Sequence, residues 1–369
     1  MSNTSDHMNS TQADEDHVLS KIKLSKIIIP LILGMMVIGY LVWRDLDADF
    51  INEIKWDSHT LNWVLIAVAL LVIRHIAYAI RLRYLTDFIF GWLKSIELIF
   101  VWEFSSAVSP TSLGGSVVAL FMLVQEKISA AKTTTAIIYS VVLDTLFFAI
   151  FFPTLYFIFG PQIMRPGAEI FSDLSGWGWT MMVLYIVMIT YGTFFFVGLF
   201  IQPQRIKNLL LFITKFKWLK KYRAKAIITG DNIIIASVDI KQKNIGHHVM
   251  VFAMTTVAWS CRFLILNALI IAFIPNTPLN IFDQTILFGR SESIFLLMSF
   301  SPTPGSSGVA ELIFGGFLTD YVSPNLAIII ASTWRFLTYY FYLFAGIFII
   351  PNWIRKVISR HRLEQNSTI

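Results

Sequence analysis

Charge is scarce in this sequence of 369 residues: only 14% are Asp, Glu, Lys or Arg, while 56% are hydrophobic. A soluble domain carries about 25% charged residues, and a folded chain of this length has too much surface to cover with so few. That excludes an ordinary soluble enzyme. Cysteine is nearly absent. Cys261 stands alone in an apolar run, so an intrachain disulfide and a cysteine metal cluster are excluded, and it reads as a small buried thiol. No G-K-[ST] nucleotide loop accompanies the glycine-rich stretches. After His248 the one remaining histidine is His361, in a basic tail. Gly305-Ser306-Ser307-Gly308 fits the G-x-S-G pattern of intramembrane serine proteases, but no later membrane helix supplies a histidine base. His247-His248 has no carboxylate or cysteine at ligand spacing and reads as interfacial, not metal-binding. No cleavable signal pattern opens the chain, and polar Met1 to Ser20 reads as a disordered cytoplasmic tail. No cofactor and no catalytic constellation is expected.

What the sequence has is long apolar runs, which define an all-α polytopic membrane protein. About 20 apolar residues cross the hydrocarbon core. Six stretches qualify: Ile27–Trp43, Leu61–Ile80, Thr133–Phe159, Trp177–Phe200, Val249–Ile274 and Leu326–Ile350. Two further apolar regions, 95–124 and 284–320, are broken by loops that helices disfavour. The first break runs Ser109-Pro110-Thr111-Ser112-Leu113-Gly114-Gly115, the second Ser301-Pro302-Thr303-Pro304-Gly305-Ser306-Ser307-Gly308.

The distribution of positive charge decides whether these regions cross or fold back. The loop 202–248 holds ten Lys and Arg against Asp231 and Asp239, so it is expected on the cytoplasmic side. The N-terminal flank (Lys21, Lys23, Lys26) and the tail (Arg355, Lys356, Arg360, Arg362) are expected there too. All three conditions hold only if each broken region returns to its starting face as a re-entrant hairpin. Twenty-two basic residues then lie inside and three outside, where the loop 44–60 is acidic. The pI near 9.3 therefore reflects topology and contact with anionic lipid at the cytoplasmic face, with no nucleic acid partner. The expected organisation is a cytoplasmic tail (1–20), one transmembrane domain (21–354) and a cytoplasmic basic tail (355–369). Arg205–Lys225 reads as an amphipathic interfacial helix or a scaffold elbow.

The two breaks resemble each other at an offset of 192: Ser109, Pro110 and Thr111 match Ser301, Pro302 and Thr303, Val117 matches Val309, and Leu120 matches Leu312. With the first hairpin entering from the cytoplasm and the second from outside, span–hairpin–span occurs twice as an inverted-topology repeat. In transporters such broken helices meet near the midplane, and helix N-termini there favour an anionic headgroup. The alternative is that Pro and Gly merely kink two helices.

Ionisable groups at membrane depth are expensive and face a cavity or a partner. The candidates are Arg74, Glu103, Asp144, Arg262, Arg290, Glu292, Glu311 and Arg335, whereas Arg81, Arg83 and Glu97 sit near ends and read as reaching for the interface. Asp144 and Arg335 are nearly equivalent in the repeat and form either a structural ion pair or a divided substrate site. Glu103 and Glu311 flank the tips, where a carboxylate couples to a proton, binds a cationic headgroup or caps the facing hairpin. Arg262 is the best single candidate for a phosphate contact, since a guanidinium fork matches phosphate oxygens.

The two breaks, with Asp144 after the first and Glu311 after the second, resemble the lysylphosphatidylglycerol synthase transmembrane-region family of flippase-like proteins. The second is similar to that family's P-x-P-G-G-x-G-x-x-E pattern with Ser306 at the second glycine. Asp144 resembles the aspartate of its E-R-x-x-D stretch, with Ser140 and Val141 at the Glu and Arg; Ser116 and Ala119 stand where many members have Glu and Arg. The resemblance implies a bacterial inner-membrane protein that moves or holds an aminoacyl-phospholipid, a glycolipid or a polyprenyl-phosphate. Full-length synthases carry a soluble aminoacyl-transferase domain after the membrane part; the chain ends at Ile369, so the synthase reaction is not expected. Two functions follow as expectations: a lipid flippase using Arg262, Arg335, Asp144, Glu103, Glu311 and Arg74 with tip residues Ser109, Pro110, Thr111, Gly114, Gly115, Pro302, Thr303, Pro304, Gly305 and Gly308, or an accessory subunit presenting lipid to a transferase. A homodimer or a transferase partner fits either.

Overall fold

The computed structural model describes residues 56–108, 119, 122–126, 128–301, 306, 313–314 and 316–367. The first expected span, Ile27–Trp43, the N-terminal tail and the centres of both breaks lie outside the described residues.

Apolar periodicity and uninterrupted length produce helices throughout, with no strand among the described residues. In chain order they are α1 (Ser58–Leu85), α2 (Trp92–Val108), α3 (Ala130–Phe159), α4 (Ser175–Phe196), α5 (Pro203–Ile213), α6 (Arg223–Lys241), α7 (Ile245–Phe273), α8 (Ile281–Ser299), α9 (Pro324–Arg335) and α10 (Phe341–Ser367). π-helical turns extend α4 through Val197–Ile201 and join α9 to α10 through Phe336–Tyr340. Caps fix several starts: Asp57, Ser129, Asn244 and Asn280 each accept a backbone N–H of the first turn.

Among the described residues, five stretches are long and apolar enough to cross a membrane: Ser58–Leu85, Ala130–Ile163, Gly176–Ile201, Ile245–Phe273 and Leu326–Val357. They coincide with five of the six expected spans, most of them extended by a few residues at one or both ends. Helices α2 and α8 are not among these five, and each leads into one of the two breaks. Residues 355–367 continue α10 as helix. The segment 205–225 is not one helix either: α5 ends at Ile213, and a short turn separates it from α6. Leu209, Ile213 and Phe216 on this segment are exposed, as are Leu61, Leu65, Val72 and Ile76 along α1 and Val183, Ile186 and Val187 along α4. Such faces suit lipid, where exposed leucine costs nothing.

The most extensive helix pair is α1 with α7. Small residues, Ala67 and Ala77 on one and Ala258, Ala268 and Ala272 on the other, are buried there and let the backbones approach. The pair runs antiparallel: Thr60 Oγ1 at the start of α1 donates to the Ala272 carbonyl near the end of α7 (3.0 Å). Arg81 near the end of α1 donates to Thr255 Oγ1 in the first half of α7 (3.2 Å). Helix α10 packs on α2 around Gly346, where any Cβ would collide with the Phe104 ring, so this close approach requires glycine.

Candidate functional site

Two stripes with the same spacing face each other across the α1–α7 pair. Arg74, Tyr78 and Arg81 fall at i, i+4 and i+7 on α1, and Thr255, Trp259 and Arg262 do so on α7. That spacing places each set on one helical face. The antiparallel register brings Arg81 to Thr255, and Arg74 and Arg262 lie within electrostatic reach of each other.

Arg74 is saturated. Its Nη2 donates to Glu103 Oε1 of α2 at 2.7 Å, and its Nη1 to the Tyr342 hydroxyl of α10 at 3.0 Å. Tyr342 Oη lies 3.3 Å from His75 Nδ1, and His75 Nε2 lies 3.2 Å from the Ile96 carbonyl. Because a carbonyl only accepts, the His75 proton sits on Nε2, and Tyr342 donates to Nδ1 while accepting from Arg74. Gly346, one turn after Tyr342, is what lets α10 come close enough for this chain to form.

Asp144 of α3 is also paired. Arg81 Nη1 donates to its Oδ1 at 2.5 Å and the Trp259 indole N–H to the same oxygen at 3.0 Å. Tyr78 lies between the two ion pairs, with the Arg74 guanidinium 5.0 Å and the Arg81 guanidinium 4.7 Å from its ring centre. Arg81 is therefore buried at the bundle centre and does not reach for the interface. Arg83 lies over the Phe88 and Trp92 rings. Glu97 is held by Lys94 and Lys356.

Arg262 differs. Its guanidinium rests on aromatic faces, 5.6 Å from the Trp259 ring centre and 4.9 Å from that of Phe295 on α8. It makes no hydrogen bond or ion pair among the described residues, and its Nε is buried without an acceptor. Three donor-bearing nitrogens are thus held in place by ring packing, with the fork free.

Of the residues expected to bind substrate, the structure gathers Arg74, Glu103, Asp144 and Arg262 into one constellation. Arg335 stands apart from Asp144, so the pairing left open by the sequence does not form. It is buried at the last position of α9, where the π-helical turn begins, and stacks on Tyr339 at 4.3 Å. The Tyr339 hydroxyl donates to the Ala107 carbonyl of α2 at 3.3 Å, which sets Arg335 beside the approach to the first break. Glu311 and the tip residues Ser109, Pro110, Thr111, Gly114, Gly115, Pro302, Thr303, Pro304, Gly305 and Gly308 lie outside the described residues. Ser306 is described: it has φ of 59°, and its hydroxyl donates to the Met298 carbonyl at 2.6 Å. This is the left-handed region that favours glycine, the residue in the pattern resembled. Arg290 ties the two sides of the second break together through an ion pair with Asp320, and its Nε donates to the Gln162 carbonyl in the turn after α3 at 3.0 Å.

Tyr78, Trp259, Phe295, Tyr342 and His75 were missed by sequence reasoning. The signal for the first two was the shared i, i+4, i+7 spacing; nothing local announces the others, whose partners are distant in sequence. A separate open cleft of about 710 Å³ lies toward the other end of α2 and α10, flanked by Lys94, Glu97, Glu126, Arg355 and Lys356.

The profile of the family described as lysylphosphatidylglycerol synthase TM region matches residues 27–346. The chain belongs to that family of multi-pass membrane proteins. A similar protein from Archaeoglobus fulgidus, described as a UPF0104 membrane protein, is 22% identical over 309 residues, covering 80% of this chain and 88% of the relative. No solved structure matches.

Proposed function

We propose that the protein moves a lipid with an anionic or zwitterionic headgroup across the membrane, through a polar path between the two broken regions. The observation that carries this reading is the free guanidinium of Arg262 in mid-helix, held by two aromatic rings with no acceptor. A half-buried cation whose Nε is shut off from water without an acceptor gains from a partner, and a headgroup phosphate is the lipid group that fits its fork. Acyl chains remain in the bilayer while the headgroup passes. Arg335, beside the first break, is the second contact in this reading.

Element order supports an inverted repeat. The offset of 192 carries α1 onto α7, α2 onto α8, and α3 onto α9 with the first part of α10. The equivalent pair α1 and α7 packs antiparallel, as two oppositely inserted halves require. On this reading α2 and α8 are the first arms of re-entrant hairpins, and both termini with the basic loop are cytoplasmic. The chain forms one transmembrane unit in a bacterial inner membrane, and it transports rather than catalyses. The cleft flanked by Lys94, Arg355 and Lys356 then opens on the cytoplasmic side, where basic residues attract anionic headgroups.

The test is headgroup accessibility of labelled lipids in proteoliposomes beside empty vesicles. Protein-dependent loss of inner-leaflet protection for one lipid class is expected. No movement of anionic, aminoacylated or polyprenyl lipids would contradict transport and favour lipid presentation to a separate transferase.

A further inference from the structure

Glu292 lies on α8, one turn before Phe295, and is fully buried with neither carboxyl oxygen hydrogen-bonded. Its polar neighbours are engaged elsewhere. The Ser291 hydroxyl donates to the Leu287 carbonyl (3.0 Å), that of Ser293 to the Ile163 carbonyl (2.9 Å), and Arg290 pairs with Asp320. The elements packed against α8 are α3, α4, α7 and the turn Gly160–Ile163. On α4, Tyr185 lies within electrostatic reach, with its hydroxyl turned to the Phe148 carbonyl at 3.4 Å. On α3, Asp144 is held by Arg81; on α7, Arg262 stacks on Phe295 and Cys261 is buried; the turn carries no ionisable group. No charged side chain among the described residues acts on Glu292.

A carboxylate here has neither donor nor cation to replace its lost water, whereas a neutral carboxylic acid needs much less. We infer that Glu292 is a proton-binding site. It holds a carboxylic acid while α8 is packed as in this structure. Where α8 repacks so that water reaches the carboxyl, the O–H bond breaks, the proton passes to water and the carboxylate is hydrated. Protonation and the position of α8 are thereby linked, since each form of the group favours one packing. A proton gradient then becomes the drive for the lipid movement proposed above. That consequence rests on the transport reading; the proton site does not.

Infrared spectroscopy of the full chain in phosphatidylglycerol–phosphatidylethanolamine nanodiscs tests it. The carbonyl stretch of a protonated carboxylic acid is expected at neutral pH, absent from Glu292→Gln, shifted in Glu292→Asp, and weakened in alkaline buffer while the protein stays folded. If Glu292→Gln does not fold, the band shift in Glu292→Asp carries the test. A wild-type spectrum without the band, a band unchanged by both substitutions, or one at full intensity until unfolding overturns the proposal. The spectrum decides this with no lipid assay, so failure of wild-type protein to move lipid sinks the transport reading alone.

Discussion

Two arginines on the paired long helices are met by different residues from the shorter helices. Arg74 of α1 finds Glu103 on α2, whereas Arg262 of α7 finds Phe295 on α8, the position that the 192-residue offset makes equivalent to Glu103. The first half thus closes its charge internally, with Tyr342 and His75 completing the network. The second half leaves a cation resting on rings and, one turn away on α8, an acid with no partner at all. A buried ion pair is held together by the penalty for separating it, so the first junction behaves as a fixed joint. The second leaves electrostatic capacity unused, and on the reading proposed above it is where a charged headgroup and a proton would find partners.

The sharpest way to break the comparison is at the fixed joint. Glu103→Gln strands Arg74 without a counter-charge and should lower stability by about 3–5 kcal/mol, the usual cost of breaking a buried pair. Thermal unfolding in lipid measures it, and the double variant Arg74→Met with Glu103→Leu should recover most of the loss. Next, Phe295→Glu copies the first half onto the second. It should keep the fold and cut lipid movement by about tenfold or more, since charge-assisted hydrogen bonds worth about 1.5–3 kcal/mol would go to the new carboxylate instead of a headgroup. Asp144→Asn keeps the shape but removes the charge facing Arg81. Asp144 is about one-third exposed, so a loss of about 1–2 kcal/mol is expected, smaller than at Glu103.

The smallest effect lies outside the spans, in the clamp that joins the α1–α2 turn to α3 and the α6–α7 turn. Asp87 is bound by Lys132 and Lys243, and Asp239 by the same two lysines. Burial pushes the Asp87 carboxyl up, but hydrogen bonds from Lys132 and Lys243 outweigh it and hold the group below its ordinary value. Partial burial likewise pulls Lys243 down, and its bond to Asp87 with the charges of Asp239 and Asp87 raises it. The depressed acid contributes fully above its unfolded value of about 3.9 and loses that contribution as pH falls through the folded value. The raised lysine contributes fully below about 10.4 and loses it as pH rises through its folded value. Melting temperature should be flat across neutral pH and sag at both extremes. The exposure of Asp87 limits the change to under about 1 kcal/mol, and Asp87→Asn should remove the acid-side sag.

Much of this was legible in the sequence. Five spans followed from uninterrupted apolar length. Arg74, Glu103, Asp144 and Arg262 stood out because charge inside an apolar run has few innocent explanations. Partner choice was not legible. Asp144 is satisfied by Arg81, 63 residues away and close enough to a helix end to look interfacial. Only the antiparallel packing of α1 on α7, set by buried alanines, carries Arg81 and Trp259 to it. The freedom of Arg262 was equally hidden, because whether an arginine meets an acid or a ring depends on which residue the facing arm presents at that level.

The most direct test of the account compares wild type, Arg262→Gln and the exposed-residue control Glu169→Gln for protein-dependent movement of labelled anionic phospholipid in proteoliposomes, with melting temperatures measured alongside. The account predicts that Arg262→Gln melts like wild type, because it breaks no pair, yet moves lipid no faster than empty vesicles. A well-folded Arg262→Gln protein that moves lipid at the wild-type rate would contradict the claim that this free guanidinium receives the headgroup.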